Sequence, residues 1–238
     1  MNFAAMHFRS ILLFLLAIGI SHAAFSQDTL GLAYAQKPGE DTYGYIDDEG
    51  KWVIEPEHER TFSFKENRAL VRQDNRYFFL RPDGERLTDS TYLKAWDFGH
   101  GLAPVRRGGY WGFINLEGEE VIPPRFREVK RFSPEGYAPA RVGDEWGLID
   151  RNGEWFVQPD YDYIHPYTDG YARAMVEGQW TLLNARGLEQ FSPRYPELYF
   201  VSNGAAEAMQ DSSWGLITPE GETLVPFKFE KSGAMRES

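Results

Sequence analysis

The sequence predicts an all-β fold assembled from six tandem copies of a unit of about 34 residues. Three observations carry that prediction. A lead aromatic recurs at Tyr43, Tyr77, Trp111, Trp146, Trp180 and Trp214, at intervals of 34, 34, 35, 34 and 34 residues. A glycine stands seven residues after each of them, at Gly50, Gly84, Gly118, Gly153, Gly187 and Gly221. Around these markers apolar and polar residues alternate with the two-residue period of a strand, not the longer period of a helix.

The lead aromatic opens a strand. In Trp111-Gly-Phe-Ile-Asn115 the side chains alternate, so Trp111 and Phe113 share one face while Gly112 and Ile114 share the other. The residue after the lead is Gly44, Gly112, Gly147 or Gly215, replaced by Phe78 and Thr181 in the second and fifth units. A glycine inside a strand marks close approach by a neighbour, here expected to be the adjacent unit or the ring of a tryptophan.

Next comes a hairpin turn, as in Asp47-Asp-Glu-Gly50 or Arg151-Asn-Gly153, where glycine accepts a positive φ and the acidic residues are structural. A second strand follows, with apolar pairs Val53-Ile54, Val121-Ile122, Phe156-Val157 and Leu224-Val225. Prolines at Pro56, Pro123, Pro124, Pro159, Pro193 and Pro226 are expected to end its pairing, because proline cannot donate to a ladder.

A third strand precedes each lead aromatic, as in Gly170-Tyr-Ala-Arg-Ala-Met-Val176. Its alternate alanines, such as Ala172 with Ala174 and Ala206 with Ala208, suit close packing where units converge on a common axis. Connectors carrying Phe64, Phe98, Phe132 and Tyr167 plug the core and leave room for a short fourth strand. The units lie near 31–60, 67–94, 101–127, 136–162, 170–196 and 204–229, within a single domain over 27–238.

The pattern Trp-Gly-aromatic or Leu-Ile-Asp/Asn-x-x-Gly-x-x-Val-Ile-x-Pro-x-Tyr/Phe resembles the WG-repeat family, also called KWG, over residues 31 to 229. It is most specific in units three, four and six, weaker in unit one, and broken at Tyr77-Phe78 and Trp180-Thr181. The resemblance implies a β-rich bacterial repeat module and little chemistry. An open solenoid needs polar caps, and none is visible before Gly31 or after Phe229. The expected architecture is therefore a small, closed, β-propeller-like toroid, monomeric, with an open β-repeat array as the alternative.

Residues 1–26 read as a secretory signal peptide: Arg9, then the ten-residue apolar run Ile11 to Ile20, then Ala24-x-Ser26 as the cleavage signal. The run is too short to span a bilayer. The mature chain is expected to begin near Gln27, to be periplasmic or secreted, and not to insert into a membrane.

With net charge -11, pI near 5.0 and no cysteine, the chain is a poor partner for nucleic acid and cannot form disulfides or thiolate metal sites. After leader removal three histidines remain, His58, His100 and His165, at unrelated positions of their units. His58 takes a slot otherwise held by Tyr92, Phe126, Tyr161, Tyr195 and Phe229, which suits packing. No established catalytic, Walker or dinucleotide-binding motif occurs, and no metal or cofactor is expected. The reading is an exported, non-enzymatic binding or scaffolding module for a protein or glycan partner. The alternative is a carboxylate-dependent, glycosidase-like hydrolase on a β-propeller.

A binding site should use residues that differ among equivalent repeat positions. The third unit supplies six such cations: Arg106 and Arg107 before its tryptophan, and Arg125, Arg127, Lys130 and Arg131 in the following connector. Four glutamates over the same stretch, Glu117, Glu119, Glu120 and Glu128, leave a local positive excess that suits an acidic protein or glycan.

Overall fold

The computed structural model describes residues 24–25 and 31–230, apart from 193, 202 and 203. The expected signal peptide lies outside the described residues except for Ala24 and Phe25.

All regular structure in the described residues is antiparallel β, in six small sheets met in chain order. The first holds β1 (Ala24–Phe25), β2 (Ala33–Gln36), β3 (Tyr43–Ile46) and β4 (Trp52–His58); the second holds β5 (Arg60–Thr61), β6 (Ala69–Gln73) and β7 (Arg76–Leu80). The third holds β8 (Lys94–Ala95), β9 (Leu102–Arg107), β10 (Tyr110–Asn115) and β11 (Glu120–Phe126); the fourth holds β12 (Glu128–Val129), β13 (Ala138–Val142), β14 (Glu145–Ile149) and β15 (Trp155–Tyr161). The fifth holds β16 (Tyr163–Ile164), β17 (Ala172–Val176) and β18 (Gln179–Leu183); the sixth holds β19 (Glu197–Val201), β20 (Ala205–Gln210), β21 (Ser213–Ile217) and β22 (Thr223–Phe229). The chain divides into two compact units after Pro124.

Each sheet is a meander of a first strand, the alanine strand and the lead-aromatic strand, and in the first, third, fourth and sixth sheets a last strand follows at the sheet edge. The expected fourth strand is thus present in every sheet as the first strand, two residues long in five of them and five residues long, Glu197–Val201, in the sixth. The predicted turn closes the last hairpin: in the fourth sheet Asp150 Oδ1 accepts from the Asn152 and Glu154 amides at 2.9 Å each, and Gly153 has φ of 83°. The acidic turn side chains are thus spent on the turn itself.

Register puts the small residues of one sheet on one face. Ala140 pairs with Gly147 and Ala208 with Gly215, while Arg141 pairs with Trp146 and Met209 with Trp214 on the other face. Neighbouring sheets then pack large face onto small face. In the second unit, Trp146, Leu148 and Val157 of the fourth sheet bury against Ile164, Ala172, Ala174 and Leu183 of the fifth. Leu182 and Phe191 of the fifth bury in the same way against Leu198, Ala206, Ala208 and Ile217 of the sixth. In the first unit Tyr45 and Ile54 meet Phe64, Ala69, Val71 and Leu80, and Leu70 and Phe79 meet Ala95, Phe98, Ala103 and Ile114. The alanines therefore serve sheet-on-sheet contact, and the connector aromatics Phe64, Phe98, Phe132 and Tyr167 are all buried, as plugs should be.

Two sequence expectations are corrected. The glycine after the lead aromatic is approached chiefly by backbone of its own sheet, not by the adjacent unit. A Cβ on Gly112 would stand 2.3 Å from the Ile122 carbonyl oxygen, and one on Gly147 would stand 2.5 Å from that of Val157. The Trp155 ring, 2.7 Å from the same Gly147 position, adds to the backbone there. The close approach comes from a bulge: Trp146 pairs with Tyr161 but Leu148 with Val157, so the last strand crosses four residues where the lead strand crosses two.

The prolines, secondly, do not end the last strand. Pro56, Pro123, Pro124, Pro159 and Pro226 all lie inside it, since an outer-edge strand with a bulge has positions needing no ladder donor. Pro193 lies outside the described residues. In the second and fifth sheets, where Phe78 and Thr181 replace the glycine, no regular last strand forms. Isolated bridges remain, Tyr77 with Tyr92 and Leu80 with Arg86, and Trp180 with Tyr195 and Leu183 with Glu189. A side chain at this position occupies the space the bulged backbone needs.

Candidate binding site

The six cations expected to act together have separate occupations. In the first unit, Arg106 Nε donates to the Gly109 carbonyl at 3.1 Å, and Arg107 reaches Glu120 at 3.5 Å while lying over the Tyr92 ring. In the second unit, Arg125 donates to the Gly153 carbonyl and covers Phe126. Arg127 and Arg131 are exposed. Lys130 alone enters an organised constellation.

That constellation starts from a repeat position whose identity changes. Nineteen residues after successive lead aromatics stand Phe62, Trp96, Lys130, His165 and Tyr199, at or just beyond the short first strand of the next sheet. The meander brings this residue onto the face of that sheet's own lead aromatic. Trp96 lies 5.0 Å from Trp111, His165 lies 5.7 Å from Trp180 and Tyr199 lies 5.8 Å from Trp214, while Lys130 Nζ is 5.4 Å from the Trp146 ring centre.

In the second unit these contacts join into one ladder. Tyr163 bridges Trp146, at 5.4 Å, to His165, at 4.8 Å, and Lys130 Nζ is 5.4 Å from the Tyr163 ring. Arg173 continues it, its guanidinium 4.2 Å from the Trp180 ring centre and 5.0 Å from that of Tyr199. The Arg173 Nη1 donates to the Leu198 carbonyl at 2.8 Å and its Nη2 meets His165 Nε2 at 2.6 Å. Trp146 and Trp214 are buried and form the backing, while Lys130, Tyr163, His165, Arg173, Trp180 and Tyr199 remain partly accessible.

The ladder is cationic and incompletely compensated. Burial, then the charges of Arg173 and Lys130, hold His165 down to about 4, so the imidazole is neutral at physiological pH. Among the described residues no carboxylate lies within ion-pairing distance of Lys130 or Arg173; the adjacent Arg141 does pair, with Glu128 at 3.1 Å. Aromatic faces stabilise the two cations, and both retain capacity for an anionic group. The other histidines serve elsewhere: His58 is buried edge-on to Phe78 at 5.8 Å, and His100 has φ of 54° in an exposed turn. Among the described residues no three His, Cys, Asp or Glu side chains are grouped to hold a metal ion.

Of the ladder, sequence reasoning offered only Lys130 as a binding residue, and for its charge. It met Trp146, Trp180 and Trp214 as repeat markers and His165 as a histidine at an unrelated repeat position, while Tyr163, Arg173 and Tyr199 escaped it. The available signal was the variability of the position nineteen residues after an otherwise regular aromatic.

Comparison with known proteins follows the same repeat. The family model for the WG containing repeat matches residues 43–77, 111–146, 146–180 and 214–238. Those matches begin at the four lead aromatics followed by glycine. A comparison with curated protein sequences finds no significant match. Among solved structures, a eukaryotic initiation factor aligns at 8% identity over 87% of this chain and 65% of that one, with a TM-score of 0.51. Hsv2p of Kluyveromyces lactis aligns at 8% identity over 84% of this chain and 74% of that one, with a TM-score of 0.45. At such identity the likeness concerns fold alone, an array of small antiparallel sheets of propeller-like kind.

Proposed function

The chain belongs to the family of WG-containing repeats, and on that premise we propose that it is an exported binding module whose second unit captures an acidic protein or glycan. One observation carries the reading. Lys130 and Arg173 are held over aromatic rings with no carboxylate within ion-pairing distance among the described residues, Glu197 on Tyr199 acting on Arg173 only from farther off, so a ligand can supply a directly paired negative charge. The variable ladder position supports it further, because residues fixed only by packing would repeat with the unit.

Two anionic polymers serve as probes, poly-glutamate for an acidic protein and polygalacturonate for an acidic glycan. The protein should bind at least one of them at low salt. Lys130→Gln should weaken that binding about tenfold, a loss on the order of 1.4 kcal/mol. Arg127→Ser, which removes an exposed cation outside the ladder, should change it little. Failure of both probes, or equal losses from the two substitutions, would overturn the reading.

Export is supported by the charged, apolar and small-residue layout of residues 1–26. A closed monomeric ring is supported by the one-way packing of large face onto small face, which leaves unlike faces at the two ends of any open row. Binding without catalysis is the role that the repeat family and the ladder support together.

A further inference from the structure

We infer a second site, independent of the ladder, in the cleft beside the fifth sheet, and assign it to a neutral saccharide. The cleft has a volume of about 400 Å³, within the range of small-molecule sites. It exists beside the place where the repeat is broken. Thr181 stands where four other units have glycine, and no regular last strand is laid there. Gln190 to Ser192 and Arg194 to Pro196 instead face the end of β20 at Met209 and Gln210, the adjoining Asp211, and the turn at Glu220–Gly221. Glycine at 221 permits the fit, since a Cβ there would already touch Phe191 at 3.1 Å.

The lining has the chemistry that hydroxyl-rich rings require. Tyr195, stacked at 19° on Phe227, gives an aromatic wall for the apolar face of a pyranose. Gln210 and Ser192 add amide and hydroxyl groups, as does Gln190, whose Nε2 also donates to the Leu188 carbonyl, and Asp211 and Glu220 add carboxylate acceptors, Glu220 Oε1 already accepting from the Tyr171 hydroxyl at 2.8 Å. Arg194, the only cation among the described lining residues, is forked onto Glu189 at 3.1 and 3.2 Å, so it does not offset those two carboxylates. The cleft therefore disfavours anions, in contrast to the ladder, and accepts a neutral polyol.

The test is calorimetric titration of the protein with a panel of neutral hexose and pentose oligosaccharides. At least one should bind with Kd below about 1 mM. Gln210→Trp, at an exposed position, should fill the cleft and weaken binding at least about tenfold, with an unchanged far-UV spectrum and melting temperature. Lys130→Gln should leave saccharide binding unchanged, which separates this site from the ladder. Absence of binding across the panel overturns the assignment. So does binding that survives Gln210→Trp, or that is lost with Lys130→Gln. Should Gln210→Trp perturb the fold, Ser192→Ala with Glu220→Gln replaces it, and retention of full affinity by that pair overturns the assignment equally.

Discussion

The guanidinium of Arg173 lies with Nη2 2.6 Å from Nε2 of His165, a contact in which only the imidazole can accept. His165 must therefore be neutral in the folded protein, in agreement with its depression to about 4 by burial, Arg173 and Lys130. In the unfolded chain it titrates near its ordinary 6.5. The unfolded state thus takes up a proton that the folded state refuses. The stability contribution is complete above about 6.5 and is lost as pH falls from there to about 4. His58, also depressed by burial, acts in the same direction. Melting curves between pH 7 and pH 4 should show a smaller loss for His165→Gln than for the native protein. A parallel loss in both would mean that the imidazole is not held neutral.

The glycine after the lead aromatic should tolerate no side chain. Gly112→Ala or Gly147→Ala drives a methyl into a carbonyl oxygen 2.3 or 2.5 Å away and should cost about 3 kcal/mol. Thr181→Gly, where no regular last strand crosses, should relieve nothing and instead cost about 1–3 kcal/mol, because it empties a fully buried site as well as loosening the backbone. Urea denaturation of the three variants checks both statements.

The proposed export makes a structural demand. Ala24 and Phe25 pair with Tyr34 and Ala33, and cleavage after Ser26 would remove them. The mature protein should begin near Gln27, with its first sheet built from β2, β3 and β4. N-terminal sequencing of protein from the envelope or medium checks the cleavage, and intact Met1 there would refute it. A chain starting at Gln27 should also keep a cooperative melt, because β1 contributes only two residues of pairing.

The proposed closed monomeric ring should unfold in one transition, since in such a ring each sheet would share its faces with two neighbours. Light scattering should give a single-chain mass, and deletion from Gly204 onward, which removes β20, β21 and β22 of the sixth sheet, should unfold the rest. A truncated chain that keeps five folded sheets would favour an open array.

Much of this protein was legible because its signals are local. Strand alternation, the positive-φ turn at Gly153 and the alanine strand each depend on neighbours a few residues away, and six copies repeat the message. The sequence by itself determined the β-repeat and its period, and it marked, at Phe78 and Thr181, the two units where the pattern breaks. Tertiary structure decided the rest. Whether Pro159 ends a strand or rides inside one depends on whether that strand is an outer edge, which no local pattern records. Whether Gly147 meets a neighbouring unit or its own bulged strand depends on register. Lys130 illustrates the limit most clearly: in the sequence it is one cation in a basic run. In the fold it rests on Trp146, sixteen residues away, and on Tyr163, thirty-three away, because a contact between side chains is made by the path of the backbone and not by their order along it.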